Sequence, residues 1–109
     1  MTTNLRKAAQ DTGTYFLFIS LYDELDQLVT PTHLNWTLRN ELGEIVNDRE
    51  NVIVTPASQI VVVLQDNDLR RVDGSVRVVV VDGRYDSTYG SYLHLIDSAL
   101  FQINDIDGV

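Results

Sequence analysis

Two runs dominated by β-branched residues, Ile60-Val61-Val62-Val63-Leu64 and Val76-Arg77-Val78-Val79-Val80-Val81, constrain this chain more than any other feature. Their stiff χ1 rotamers suit a pleated sheet and are crowded in a helix, so both runs predict strands. The rest of the chain has the same grain. Residues 15–22 are aromatic and β-rich and predict a first strand, buried on both faces for part of its length. Leu34, Trp36 and Leu38 alternate with His33, Asn35, Thr37 and Arg39, which gives that strand one apolar face. Asn40-Glu41-Leu42-Gly43 predicts a hairpin turn, since Gly43 takes a positive φ at no steric cost, and residues 44–49 predict its return strand. Short strands are expected at 51–54, 93–96 and 100–103, and Asp73-Gly74 and Asp82-Gly83 predict turns on either side of the second valine run. Only residues 65–71 have the composition of a helical turn.

Strands punctuated by turn chemistry about every 8–12 residues point to an all-β, two-sheet β-sandwich of about seven strands. At 109 residues the chain suits one domain. We divide it into a short N-terminal arm at 1–13, the sandwich at 14–104 and a C-terminal tail at 105–109. The expected core gathers Trp36, Leu34, Leu38, Val62, Val78 and Val80. Val29-Thr30-Pro31-Thr32 and Val54-Thr55-Pro56-Ala57 look alike, but the likeness does not extend outward and implies two analogous turns, not a repeat.

Charge narrows the partners. Sixteen acidic residues stand against eight Lys plus Arg, for a formal net charge of -8 and a pI near 4.4. Nucleic acid and anionic membrane are therefore disfavoured as partners, because both need clustered Lys and Arg. The absence of cysteine removes thiolate metal sites, disulfides and thiol catalysis. Residues 15–22, with Arg6 and Lys7 ahead of them, have the outline of a signal peptide. They lack a small-x-small cleavage site and are well short of the ~20 residues needed to span a bilayer, so a strand is the expected outcome.

Candidate chemistry is sparse. His94 lies between Leu93 and Leu95 on the polar face of a strand, and neither it nor His33 has metal-ligand or general-base partners at recognisable spacing. The serines show no nucleophile elbow, and the six glycines are scattered singly and form no phosphate loop. Asp23/Glu24/Asp26, Asp66/Asp68 and Asp105/Asp107 are acidic clusters, expected to be solvated loop carboxylates and not calcium sites. We expect no enzyme activity, no cofactor and no metal. Trp36, on the apolar face with Leu34 and Leu38, is expected in the core; exposed, it would be a sugar-stacking platform. Tyr85, Tyr89 and Tyr92 flank small polar residues in a segment expected to form a partly exposed contact loop, since Tyr offers large area at low entropy cost. Residues 1–10 carry Arg6 and Lys7 and no acid, so this part of the arm can dock on its own acidic domain or on a neighbouring copy.

The order of these features resembles the small immunoglobulin-like virion proteins of tailed bacteriophages. The stretches that carry the likeness are Val29-Thr30-Pro31-Thr32-His33-Leu34-Asn35-Trp36-Thr37-Leu38-Arg39, the Gly43 turn, and Val46-Asn47-Asp48-Arg49. Val54-Thr55-Pro56-Ala57-Ser58, Gln65-Asp66-Asn67-Asp68-Leu69, Tyr85-Asp86-Ser87 with Gly90, and Phe101-Gln102-Ile103 complete it. It covers residues 15–104 and implies an immunoglobulin-like sandwich with a structural or decorating role on a capsid, neck or tail. The implied partners are other virion proteins or copies of the chain itself in a symmetric assembly, and the implied place is the virion, assembled in the host cytoplasm. Arg6, Lys7, Tyr85, Tyr89 and Tyr92 are the expected partner contacts. The alternative is an immunoglobulin- or fibronectin-like adhesion module that recognises a protein or carbohydrate.

Overall fold

The structure is a computed structural model that describes residues 2–5 and 7–104. Among these residues it is all β apart from two 3₁₀ turns, Asp66–Leu69 and Arg71–Asp73. The strands are β1 (Thr2–Asn4), β2 (Ala9–Gln10), β3 (Thr14–Ser20), β4 (His33–Arg39), β5 (Val52–Ile53), β6 (Gln59–Gln65), β7 (Val76–Ser87) and β8 (Gly90–Asn104). The large sheet runs β1-β8-β7-β4-β5, with β2 also on β8; β1 and β2 lie parallel to β8, and the other pairs are antiparallel. The second sheet is an antiparallel ribbon of β3 and β6 alone.

The core lies between the two sheets. Tyr15 and Leu17 of β3 and Val62 and Leu64 of β6 are buried together with Leu34, Trp36 and Leu38 of β4. Tyr15 stacks on Phe101 of β8 with ring centroids 4.2 Å apart. The alternation in β4 thus puts its apolar face inward, as its sequence predicts. The opposite face is not all solvent, because Thr37 is also buried and its hydroxyl accepts a hydrogen bond from Asn51 N at 3.0 Å.

In β7 the expected face is the wrong one. Val79 and Val81 are buried, whereas Val78 and Val80 lie half-buried on the outer face of the large sheet. Four consecutive valines carry no alternation, and a one-residue shift swaps the two faces of a strand. The residue that decides the matter is Arg77, which is fully buried on the same face as Val79. Its guanidinium donates to the carbonyls of Asp68, Gly74, Val76 and Arg70 at 2.5–2.9 Å, which ties both 3₁₀ turns to the strand. Asp68 is equally buried, against the expectation of a solvated carboxylate. It accepts from Arg49 Nε at 2.9 Å, Asn47 Nδ2 at 2.9 Å and Gln65 N at 3.1 Å, so its charge is paired and its lone pairs are satisfied.

Three other expectations give way to local chemistry. The return strand at 44–49 is only an isolated bridge between Arg39 and Ile45, because Asn47 and Asp48 take the left-handed conformation their short polar side chains tolerate. The turn before it does form, with Gly43 at φ 79° and its N–H donating to Asn40 O at 3.0 Å. Asp82-Gly83 is no turn and lies inside β7, where the missing side chain admits a close neighbour. A Cβ at Gly83 would sit 3.0 Å from the carbonyl oxygen of His33. Residues 93–96 and 100–103 belong to one continuous strand, β8, the longest in the molecule's described part. The helical turn expected within 65–71 does form, as the 3₁₀ turn Asp66–Leu69, and a second one, Arg71–Asp73, begins at the end of that segment.

Candidate interaction surface

The ribbon formed by β3 and β6 buries one face and exposes the other. Its register sets Phe16 opposite Val63 and Phe18 opposite Val61. All four point away from the core, with Phe16 57%, Phe18 80%, Val61 51% and Val63 44% exposed. At about 200 Å² for an aromatic side chain, the two phenylalanines alone leave roughly 270 Å² in water. The two valines, directly across the ladder, extend the same patch into the size range of the largest apolar patches on monomeric proteins. The expectation that residues 15–22 are buried on both faces for part of their length fails at Phe16 and Phe18, while Ile19, Ser20 and Leu21 are all at least partly buried. A largely apolar run cannot reveal that, among the described residues, the second sheet has only two strands and no element packed on its outer face.

Beside the free edge of β3 runs a groove of about 440 Å³, lined by Phe16, Phe18 and Ile19 on one side and by Leu5, Lys7 and Ala99 on the other. Lys7 is exposed, and its carbonyl accepts a hydrogen bond from the Tyr15 hydroxyl at 2.5 Å. Arg6 lies outside the described residues.

The tyrosines are placed on the β7–β8 hairpin, not on a long loop. Tyr89, at the tip, is 72% exposed, and Tyr92 is 56% exposed. Tyr92 meets His33 edge to face at 5.3 Å and carries the Arg84 guanidinium 5.1 Å from its ring centre. Its backbone, at φ 56°, is held by a 2.7 Å hydrogen bond from its N–H to Asp86 Oδ1. Tyr85 is different: it faces inward, is buried, and donates its hydroxyl to Glu24 Oε2 at 3.2 Å. It is a tether for the 23–28 turn and offers a partner little surface. Burial, then Glu24 and Asp23, push the Tyr85 phenol up. Hydrogen bonds from Ser87 and from its own backbone, helped by Tyr85, hold the Glu24 carboxyl below its ordinary range. Lys7 sits beside the far end of β8, between the β1 and β2 pairings, so the expected contacts do not form one patch.

Several other polar groups are engaged in structure. His94 Nε2 lies 2.7 Å from Asp82 Oδ1 on the outer face of the large sheet, a pairing of residues 12 apart in sequence that only the β7–β8 register brings together. Asp23 Oδ1 accepts from Leu25 N and Gln27 N at 2.9 and 3.0 Å, closing its own turn. Asp105 and Asp107 lie outside the described residues. Among the described residues no group of three or more His, Asp or Glu converges as a metal site would require. Melting curves in EDTA and in millimolar calcium are therefore expected to coincide. A calcium-dependent rise of several degrees would mean that the Asp66/Asp68 or Asp23/Asp26 cluster binds a cation.

Comparisons with protein-family models, curated proteins and solved structures find no match to this chain. The likeness to phage virion proteins thus rests on the turn and strand motifs alone.

Proposed function

We propose that this chain is an immunoglobulin-like, non-enzymatic structural or decorating protein of a bacteriophage particle, assembled in the host cytoplasm and working through contacts with other virion proteins or with its own copies. The observation that carries the proposal is the exposed Phe16/Phe18/Val61/Val63 face, an apolar surface whose exposure to water is unfavourable until a partner covers it. The hairpin adds a second surface of a kind suited to contacts, with Tyr89 at its tip and Tyr92 packed beside Arg84.

The test is composition of the particle. Mass spectrometry of gradient-purified particles from cells that make this chain should find it in integral stoichiometry with the major structural proteins. Presence in the lysate and absence from the particles would overturn the proposal. Replacing Tyr89 and Tyr92 together by Ser should lower incorporation while the melting curve of the isolated domain stays within a degree or two. Undiminished incorporation would remove the hairpin from the interface.

A further inference from the structure

We propose that the free edge of β3 is a seam between two copies of this chain. The two β3 strands pair antiparallel about a two-fold axis at Leu17 and fuse the two ribbons into one four-stranded sheet. This deepens the assembly role proposed above by naming one of the partners and the strand that meets it.

The hydrogen-bond parity of the ribbon identifies the groups available. Asp66 N donates to Gly13 O at 3.1 Å and Leu21 N donates to Ser58 O at 2.8 Å, so the odd-numbered residues of this stretch bond to the β6 side. In an antiparallel ladder the alternate residues then turn both N–H and C=O the other way. Those residues are Thr14, Phe16, Phe18 and Ser20, and among the described residues no strand pairs with that side of β3.

These four residues are symmetric about Leu17. A register that sets Leu17 opposite Leu17 of the second copy makes Phe16 face Phe18 and Thr14 face Ser20, twice each. Every one of these is a pair that exchanges both hydrogen bonds, about eight in all. The two Phe16–Phe18 pairs also bring aromatic rings side by side on the outer face, a stabilising cross-strand combination.

The edge carries none of the devices that keep edge strands apart. Thr14–Ser20 contains no charge, no proline and no bulge, and its register with β6 is unbroken over seven residues. Electrostatics favours the same place. Two bodies of net charge -8 repel over most of their surface, but residues 12–22 and 51–65 include no charged side chain at all. The ribbon itself brings no charge to the contact, and the groove beside its edge is lined by only two charged residues, Asp97 and Lys7, which are of opposite sign. The opposite edge, on β6, is less suited, because Gln65 N is already taken by Asp68 Oδ2 at 3.1 Å. The groove beside β3 leaves the edge approachable, and the seam would gather the phenylalanines of both copies on one outer face for the rest of the particle.

Three measurements on the full chain test the seam. Sedimentation equilibrium at tens of micromolar should give a dimer. Phe18→Pro removes an edge-directed N–H together with the ring that would face Phe16 of the second copy, and should yield a monomer, whereas Val61→Lys, on the same outer face but away from the edge, should leave the dimer intact. Since Phe18→Pro can disturb the strand itself, register is read independently in a chain that has no native cysteine. A mixture of the single variants Thr14→Cys and Ser20→Cys, oxidised mildly, should form the 14–20 heterodimer in several-fold excess over 14–14 and 20–20 links. A monomeric wild type, a dimer abolished by Val61→Lys, or cross-links without the 14–20 preference would each overturn the seam. A monomeric chain that is still found in particles would refute the seam alone, and a dimer absent from particles would refute the virion role alone.

Discussion

Replacing Arg77 by Met is expected to destabilise the fold by about 3–5 kcal/mol, the cost of removing one partner from a buried charged network. The side chain is fully buried, and its loss leaves the carbonyls of Asp68, Arg70, Gly74 and Val76 without their donor. Each stranded acceptor in a low-dielectric interior adds its own desolvation cost, which methionine packing only partly offsets. Burial lowers the guanidinium pKa from its ordinary value, opposed by Asp73, Glu41, Asp68 and Asp11, so the site holds a charge against its surroundings. Arg77→Lys keeps the charge but cannot reproduce the planar fork that reaches four carbonyls, and is expected to recover less than half of the loss. Urea unfolding followed by circular dichroism measures both variants. A loss below 1 kcal/mol for Arg77→Met would mean that the 3₁₀ turns stand without it.

Trp36→Ala is expected to cost about 3–5 kcal/mol, as large-to-small changes of aromatic core residues do. The indole is buried on β4, directly across the ladder from Val81, where it faces the β3–β6 ribbon. The ribbon has only two strands to cover the large sheet, so it has little capacity to collapse into the cavity left behind. Because Trp36 is the one tryptophan in the chain, backbone circular dichroism must replace fluorescence as the probe. A loss under 1 kcal/mol would move the side chain out of the core and restore the sugar-platform alternative.

What could be read in advance follows from which residues carry contrast. Leu34, Trp36 and Leu38 alternate with polar neighbours, so their face was legible, and the turn at Gly43 was legible from a residue that accepts positive φ. The first 3₁₀ turn, Asp66–Leu69, was visible in the polar run at 65–71, whereas the second, Arg71–Asp73, lies almost wholly beyond it. Val78–Val81 offered no contrast, and the one charged residue in that run, Arg77, points inward. The ion pair that buries Asp68 joins residues 19 apart, and the carbonyls that hold Arg77 come from a segment whose path no local pattern specifies. The exposed side of β3 was hidden for a different reason. Phe16 and Phe18 have the composition of core residues, and only the count of strands in the second sheet shows that none of the described residues covers them.

The pairing of β1 and β2 with β8 sets an order for folding. Thr2–Asn4 finds its partners at Ser98, Ala99 and Leu100, and Ala9–Gln10 finds its own at Ile103 and Asn104. Residues 2–10 therefore wait for residues 98–104, which are made later. A chain still emerging can close the β3–β6 ribbon and the β4–β7 pair before the ladders that join residues 2–10 to β8. Closing a loop of that length is slow compared with hairpin formation, so docking of the first strands is expected to be a late event. During that delay the groove beside β3 lacks the wall that Leu5 and Lys7 supply. Synthesis itself thus creates an interval in which the edge of β3 is most open to a second strand.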